Sequence, residues 1–152
     1  MKVVLQRVQQ ASVNVQEKVV GKIGRGICLL VGIEKGDTEK DARYVSQKVV
    51  ELRIFPDEEG KMNMSILDVG GEVLAVSQFT LAGSVKKGRR PSFDKSEEPH
   101  KAKELFDHFV EFIREKGVKV ETGIFGAMMD VHLINDGPVT FILEGESREI
   151  FS

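Results

Sequence analysis

The chain has 152 residues, 41% of them hydrophobic and 30% charged, which fits an ordinary globular protein and excludes a disordered or collagen-like one. By surface scaling, a chain of 16.9 kDa can bury roughly 69% of its extended surface, so residues 1–152 are expected to form a single domain around a core that needs no staples. Lys and Arg number 22 against 24 Asp and Glu, a net charge of −2, so there is no global polyanion-binding field and any nucleic-acid contact has to be local. The single Cys28 excludes an intramolecular disulfide and every Cys-x-x-Cys pattern, and it suits a reducing compartment. No apolar run is long enough for a signal segment or a membrane span, so a soluble cytoplasmic protein without membrane contact is expected.

In chain order, Lys2 to Val15 is rich in Val and partly alternating. A turn at Gln16-Glu17-Lys18 and the apolar stretch Val19 to Ile23 complete a predicted hairpin. Gly24-Arg25-Gly26 turns the chain into Ile27 to Ile33, a continuous apolar run of the kind buried on both faces. Asp37 or Thr38 can cap a helix whose Ala42, Val45, Val49 and Leu52 share one face, and the helix should end before Pro56. Turn residues at Asp57 to Gly60 and Val69 to Gly71 flank a short Met62 to Leu67 segment, and Glu72 to Leu81 reads as one strand.

Ala82 to Glu98 has no clear period, and loops of that length are usually functional or disordered. It contains a local basic patch, with Lys86, Lys87, Arg89 and Arg90 crowded around Gly88. A second helix follows Glu97-Glu98-Pro99, with Ala102, Leu105, Phe106, Phe109, Phe112 and Ile113 on one face and Gly117 past its end. Strands are expected at Val118 to Glu121, Ala127 to Ile134 and Val139 to Glu144. Many strands with two helices, not strictly alternating, predict an α+β fold with a mostly antiparallel or mixed sheet.

Several common signatures are absent: the Gly-x-Ser-x-Gly elbow, His-Glu-x-x-His, the P-loop and the EF-hand. His100, His108 and His132 have no metal-ligand spacing among themselves or with Cys28, so no metal site is expected. Cys28 reads as a small core residue, and Phe106, Phe109 and Phe112 read as packing.

Two segments stand apart from ordinary strand and turn sequence: Ser77-Gln78-Phe79-Thr80-Leu81 and Asn135-Asp136-Gly137-Pro138-Val139-Thr140. With the start Met-Lys-x-Val-x-Gln-Arg-Val and Gly-x-Phe-Gly-Ala-x-Met at 123–129, they give the chain a resemblance to the D-aminoacyl-tRNA deacylases, also called D-tyrosyl-tRNA deacylases. Four such peptides in order span essentially the whole chain. The resemblance implies a barrel-like curled sheet in a layered β/β/α arrangement. It also implies a homodimer with active sites at the subunit interface, a tRNA substrate, and neither metal nor organic cofactor. The implied reaction is hydrolysis of the ester between a D-amino acid, or mischarged glycine, and the tRNA terminal ribose.

Read physically, Ser77 and Thr80 face opposite sides of a regular strand, so both cannot serve one pocket unless the strand breaks. Thr80 is either an ordinary edge residue or part of a site in which backbone N–H groups near Gln78, Phe79 and Thr80 hold an oxyanion, each oriented donor being worth about 3 kcal/mol. A covalent Thr80 nucleophile is the alternative within the enzyme class, although no base adjoins it in sequence.

Gly137-Pro138 is turn chemistry on its own. The resemblance makes it a Gly-cisPro motif whose carbonyls enter the neighbouring subunit's pocket and exclude one Cα substituent, which gives a chirality filter blind to the side chain. Arg7 is either a surface ion pair or, by resemblance, the support of that loop. Phe125 and Met129 read as core from the residues and as the lining of a terminal-adenosine pocket from the resemblance. Lys86, Lys87, Arg89 and Arg90 are either a solvated run or phosphate contacts for the acceptor stem. A non-catalytic acceptor-stem binding module would use the same basic loop.

Overall fold

The computed structural model describes residues 1–145. Strand β1 (Lys2–Val15) runs into β2 (Lys18–Ile23) through a two-residue turn in which Gln16 and Glu17 both have positive φ, 49° and 66°. That conformation matches the right-handed twist of the flanking strands, which is why two-residue hairpins adopt it. Strand β3 (Gly26–Gly32) returns antiparallel along the first half of β1, pairing Lys2 with Gly32 and Val8 with Gly26.

Helix α1 (Glu39–Glu51) begins at Thr38, whose backbone N–H donates to Asp41 Oδ2 at 2.7 Å. Of the two expected caps, Thr38 therefore takes the role. Short strands β4 (Phe55–Pro56) and β5 (Met62–Met64) pair with each other, and the second half of the expected Met62 to Leu67 segment is a single helical turn, α2 (Ile66–Val69), capped by Ser65. Strand β6 (Glu72–Ser77) lies parallel to β3, helix α3 (Pro99–Glu115) follows the long connection, and β7 (Val120–Thr122) lies parallel to β6. Strand β8 (Asp130–Glu144) runs antiparallel to β1 along nearly its whole length.

The expected α+β class is found, with a mixed sheet: antiparallel among β1, β2, β3 and β8, parallel from β3 through β6 to β7. The sheet curls until β2 lies across β6 and β7. A Cβ on Gly21 would come within 2.6 Å of the Thr122 carbonyl oxygen, so only glycine allows that approach. Curling gives the sheet two apolar faces. Val3, Leu5, Ile27, Leu29, Val31, Val73 and Ala75 pack against α1 and α3, while Val8, Ala11, Val13, Cys28, Leu74 and Val76 form a second core inside the curl. Ile27 to Val31 alternates between the two cores, which explains its unbroken apolar run.

Two boundaries differ from the sequence expectation. The strand expected over Glu72 to Leu81 ends at Ser77, and Phe79–Ala82 is a 3-10 turn. Its neighbour β3 stops at Gly32, so Gln78 N–H to Val31 O, at 2.8 Å, is the last sheet-like bond available. A Cβ on Gly32 would come within 2.8 Å of Leu81 Cβ, so the glycine lets the turn fold over the end of β3. The two strands expected at Ala127 to Ile134 and Val139 to Glu144 are one strand, β8, because both arms pair with the same β1.

The turn supplies a stability prediction. Neither Gln16 nor Glu17 is at ease at positive φ, so Gln16→Asn with Glu17→Gly should raise unfolding stability by about 1 kcal/mol. A urea denaturation midpoint that moves upward with an unchanged slope is the expected reading.

Candidate active site

The irregularity in β8 produces the first part of the site. Val8 pairs with Asn135 and Gln6 with Thr140, so two steps along β1 face five along β8, and Asp136, Gly137, Pro138 and Val139 stand opposite Arg7 alone without rungs, a surplus of three. Asn135 closes the neck of this protrusion. Its Oδ1 accepts from Val139 N–H at 2.6 Å, and its Nδ2 donates to Val139 O at 3.2 Å and Thr140 Oγ1 at 3.1 Å. The Gly137-Pro138 peptide bond is cis, and both residues are exposed.

Arg7 anchors the protrusion from below. Its side chain is buried: Nε donates to Asp136 O at 3.0 Å and lies 3.4 Å from Asp136 Oδ2, while Nη1 donates to Ile54 O at 2.7 Å. The guanidinium fork thus ties the protrusion to the segment after α1, a geometry that a point-charged Lys cannot reproduce. Of the two readings left open for Arg7, the surface pair is replaced by a buried anchor. Asn135, Thr140 and Gln6, whose Nε2 donates to Thr140 Oγ1 at 3.3 Å, were not singled out individually from sequence. The turn propensity of Asn before Asp-Gly was the available signal for Asn135.

The second part is the 3-10 turn. Of the three amides expected as donors, that of Gln78 is committed to Val31 O. The amides of Phe79 and Thr80, at the first two positions of the turn, have no hydrogen-bond partner among the described residues, as the start of any helix requires. Gln78 donates through Nε2 to Thr80 Oγ1 at 2.8 Å. Phe79 and Thr80 are exposed, and Ser77 sits half-buried at the end of β6. The break after Ser77 is what frees these residues from strict strand alternation.

The four basic residues occupy the tip of a closed loop. Ser84 and Ser92 exchange both backbone hydrogen bonds, at 2.7 and 2.8 Å, and Lys86, Lys87, Arg89 and Arg90 project beyond this rung, all exposed and without ion-pair partners among the described residues. Phe125 and Met129 are not brought together. Phe125 leans on Phe106 of α3, with ring centroids 6.3 Å apart, whereas Met129 packs on the core inside the curl, its sulfur lying against Gly123.

The two main parts are rooted at separate points of β1. The turn abuts Gly32, which pairs with Lys2, while the protrusion is anchored at Arg7, five residues further along β1 and so on the order of 17 Å away. A groove of about 590 Å³ is lined by Gln10, Ala11, Ser12, Lys22, Val131, His132, Leu133 and Ile134, and it contains none of the expected site residues.

Burial pushes the Cys28 thiol up to about 11, so it stays protonated and is no nucleophile at neutral pH. Among the described residues, no group of three His, Cys, Asp or Glu is placed to hold a metal ion, and no helix is long and apolar enough to cross a membrane.

Residues 4–144 match the family model described as D-Tyr-tRNA(Tyr) deacylase. The chain is 59% identical over 148 residues to a D-aminoacyl-tRNA deacylase of Geobacter sulfurreducens, covering 97% of each chain. It is 57% identical over 150 residues to one of Aquifex aeolicus, covering 99% of this chain and all of the other. Among solved structures, one titled c-Myc DNA Unwinding Element Binding Protein superposes with a TM-score of 0.90 at 43% identity, covering 96% of this chain and 99% of that one. A probable eukaryotic D-amino acid tRNA deacylase superposes with a TM-score of 0.81 at 22% identity, covering 93% and 97%, and shows likeness of fold.

Gly137 provides the prediction for this part. Its φ is +142°, and a Cβ there would come within 2.6 Å of Val139 Cγ2 and 2.8 Å of Val139 N. Gly137→Ala should reshape the protrusion at a cost of about 1–3 kcal/mol, with the two cores intact. Amide exchange is the check: protection should fall at Val139, whose N–H bonds Asn135, and stay unchanged in β3 and β6.

Proposed function

The chain belongs to the D-Tyr-tRNA(Tyr) deacylase family, and on that premise we propose a proofreading site built from two copies of it. The protein is a D-aminoacyl-tRNA deacylase, a hydrolase whose substrate is a charged tRNA. Full-length identity near 60% to deacylases carries this assignment. The alternative of a non-catalytic acceptor-stem module explains the basic tip but not that match.

In this reading water attacks the ester carbonyl carbon, the Phe79 and Thr80 amides hold the oxyanion, and the ribose oxygen leaves as free D-amino acid and tRNA are released. Gln78 orients the Thr80 side chain, and Ser77 ends the strand so that the turn can form. The ribose's own neighbouring hydroxyl helps to activate the water, and no metal or organic cofactor takes part. Gly137 and Pro138 of the second copy, held by that copy's Arg7, present main-chain oxygens to the α-ammonium and leave no room for an L side chain. Glycine has nothing to reject and is cleaved as well. Phe125, leaning on Phe106, offers the terminal adenosine an aromatic face, Met129, packed inside the curl, does not join it there, and Lys86, Lys87, Arg89 and Arg90 take acceptor-stem phosphates. A charged-tRNA substrate supports a cytoplasmic reaction, where translation runs, and the chain is read as one domain.

The observation that supports a shared site is the separation of the protrusion from the turn along β1. A second supports the same view: among the described residues β8 pairs only with β1, leaving one edge open, and Val131, Ile134, Phe141 and Ile142 on it are exposed. An unprotected apolar edge of that length is ordinarily covered.

Hydrolysis of D-Tyr-tRNA, L-Tyr-tRNA and Gly-tRNA tests the reading. The D substrate should be cleaved faster than the L by about a hundredfold or more, with Gly-tRNA also cleaved. Equal D and L rates would remove the filter. In the same assay Thr80→Ala should stay within about tenfold of the parent, since the backbone N–H remains, whereas a covalent nucleophile would lose on the order of 10⁴ or more.

Complementation tests the shared site. Phe79→Pro deletes one donor at the first position of the turn, where proline is tolerated, and Gly137→Ala spoils the protrusion. Each homodimer should be weak. Random mixing should restore about a quarter of parental activity, because half the dimers are mixed and each of those has one intact site of two. No recovery would place the whole site within one chain.

A further inference from the structure

Phe93 is an aromatic ring in a connection otherwise rich in charged and small residues. It belongs to neither core, yet it is only 40% exposed. Its ring centroid is 5.2 Å from that of Phe79, with the planes inclined at 59°. It also lies on Gly83, where a Cβ would come within 2.9 Å of Cε1 and 3.1 Å of Cδ1. Its backbone is fixed as well: the preceding residue, Ser92, forms the double rung with Ser84, and Phe93 O accepts from Ser96 N–H at 3.0 Å.

These contacts reach both residues whose amides are unpartnered. Phe93 touches Phe79 through the ring and Thr80 through Gly83, whose N–H donates to Thr80 O at 3.0 Å. A 3-10 turn of four residues is a poor scaffold by itself, because its hydrogen bonds are few and badly aligned. Oxyanion donors nevertheless have to be held in one direction before the charge develops.

The geometry points to Phe93 as a positioning residue for the deacylation step: its ring, wedged between Phe79 and Gly83, holds the turn so that the Phe79 and Thr80 amides share one aim. This rests on the deacylase reading, since the aim matters only if an oxyanion forms there. The basic tip beyond Ser84 and Ser92 acts on binding, whereas Phe93 acts on turnover.

The test uses the full-length protein and D-Tyr-tRNA, with kcat and KM measured separately for Phe93→Ala, Phe93→Leu, Gly83→Ala and the double variant Gly83→Ala with Phe93→Ala. Phe93→Ala should lower kcat by about tenfold to a hundredfold with KM within about twofold, as expected for donors displaced by a fraction of an ångström. Phe93→Leu, which keeps bulk against Gly83, should recover most of the loss. Gly83→Ala should also lower kcat, and the combined loss should be smaller than the product of the single losses, because the ring that the new Cβ would strike has gone. Joint replacement of Lys86, Lys87, Arg89 and Arg90 should instead raise KM and flatten its salt dependence.

A Phe93→Ala variant that raises KM at unchanged kcat would overturn the proposal and make the ring a stacking surface for RNA. An unchanged kcat and KM would overturn it too. Backbone amide resonances recorded without substrate decide independently of turnover: those of Phe79 and Thr80 should shift in Phe93→Ala while those of β1 stay in place, and unshifted Phe79 and Thr80 resonances would sink the idea. If the parent cleaves no D-Tyr-tRNA, the deacylase reading fails by itself, and the resonances still report whether Phe93 holds the turn.

Discussion

The mismatch between β1 and β8 is the constraint on which the site depends. Both strands are long and paired end to end, yet between Asn135 and Thr140 four residues of β8 must pass a single residue of β1, Arg7. The surplus cannot enter the ladder, and it cannot enter the core, where its unpaired backbone groups would be costly. It therefore leaves the sheet as a short protrusion whose neck is closed by Asn135 and whose root is held by Arg7. Slippage is blocked because β8 is fixed on both sides of the mismatch, from Val131 opposite Val13 to Glu144 opposite Lys2.

Burial gives Arg7 its importance. A buried guanidinium loses water and must find acceptors, and it finds two carbonyls from segments far apart in sequence, Ile54 and Asp136. Asp136 adds a carboxylate oxygen at 3.4 Å. The cation thereby holds the end of the α1 connection and the root of the protrusion in fixed relation, which a mobile surface pair could not do. Rigid elements carrying short functional excursions are the usual way to place a site on a small fold.

At the start of β1, termination rather than insertion makes the chemistry available. Strand β3 ends at Gly32, so β6 loses its partner after Gln78 and the chain collapses into a 3-10 turn over the glycine. Two amides are left without acceptors because the first positions of a helix have none to offer. One strand thus carries two unlike pieces, near its middle a protrusion made by surplus residues and at its start a donor turn made by the lack of a neighbour.

Sequence alone determined much of this. The alternating and continuous apolar runs located most of the long strands and the two long helices, α1 and α3, because burial periodicity survives any tertiary arrangement. The turn residues marked the excursion, and the Ser77–Leu81 and Asn135–Thr140 peptides carried the family resemblance. The tertiary structure decided what depends on a neighbour. Glu72 to Leu81 has strand propensity throughout, and only the end of β3 stops it at Ser77. Val139 to Glu144 reads as a new strand, and only shared pairing with β1 joins it to Asp130–Ile134. Arg7 looks like any polar residue on a strand until Ile54 and Asp136 close over it. Phe93 carries no periodic signal, since its partners, Gly83 and Phe79, are brought to it by loop closure between Ser84 and Ser92. Local patterns record which surface a residue prefers to bury, whereas the partner it meets there is set by chain segments that no local window contains.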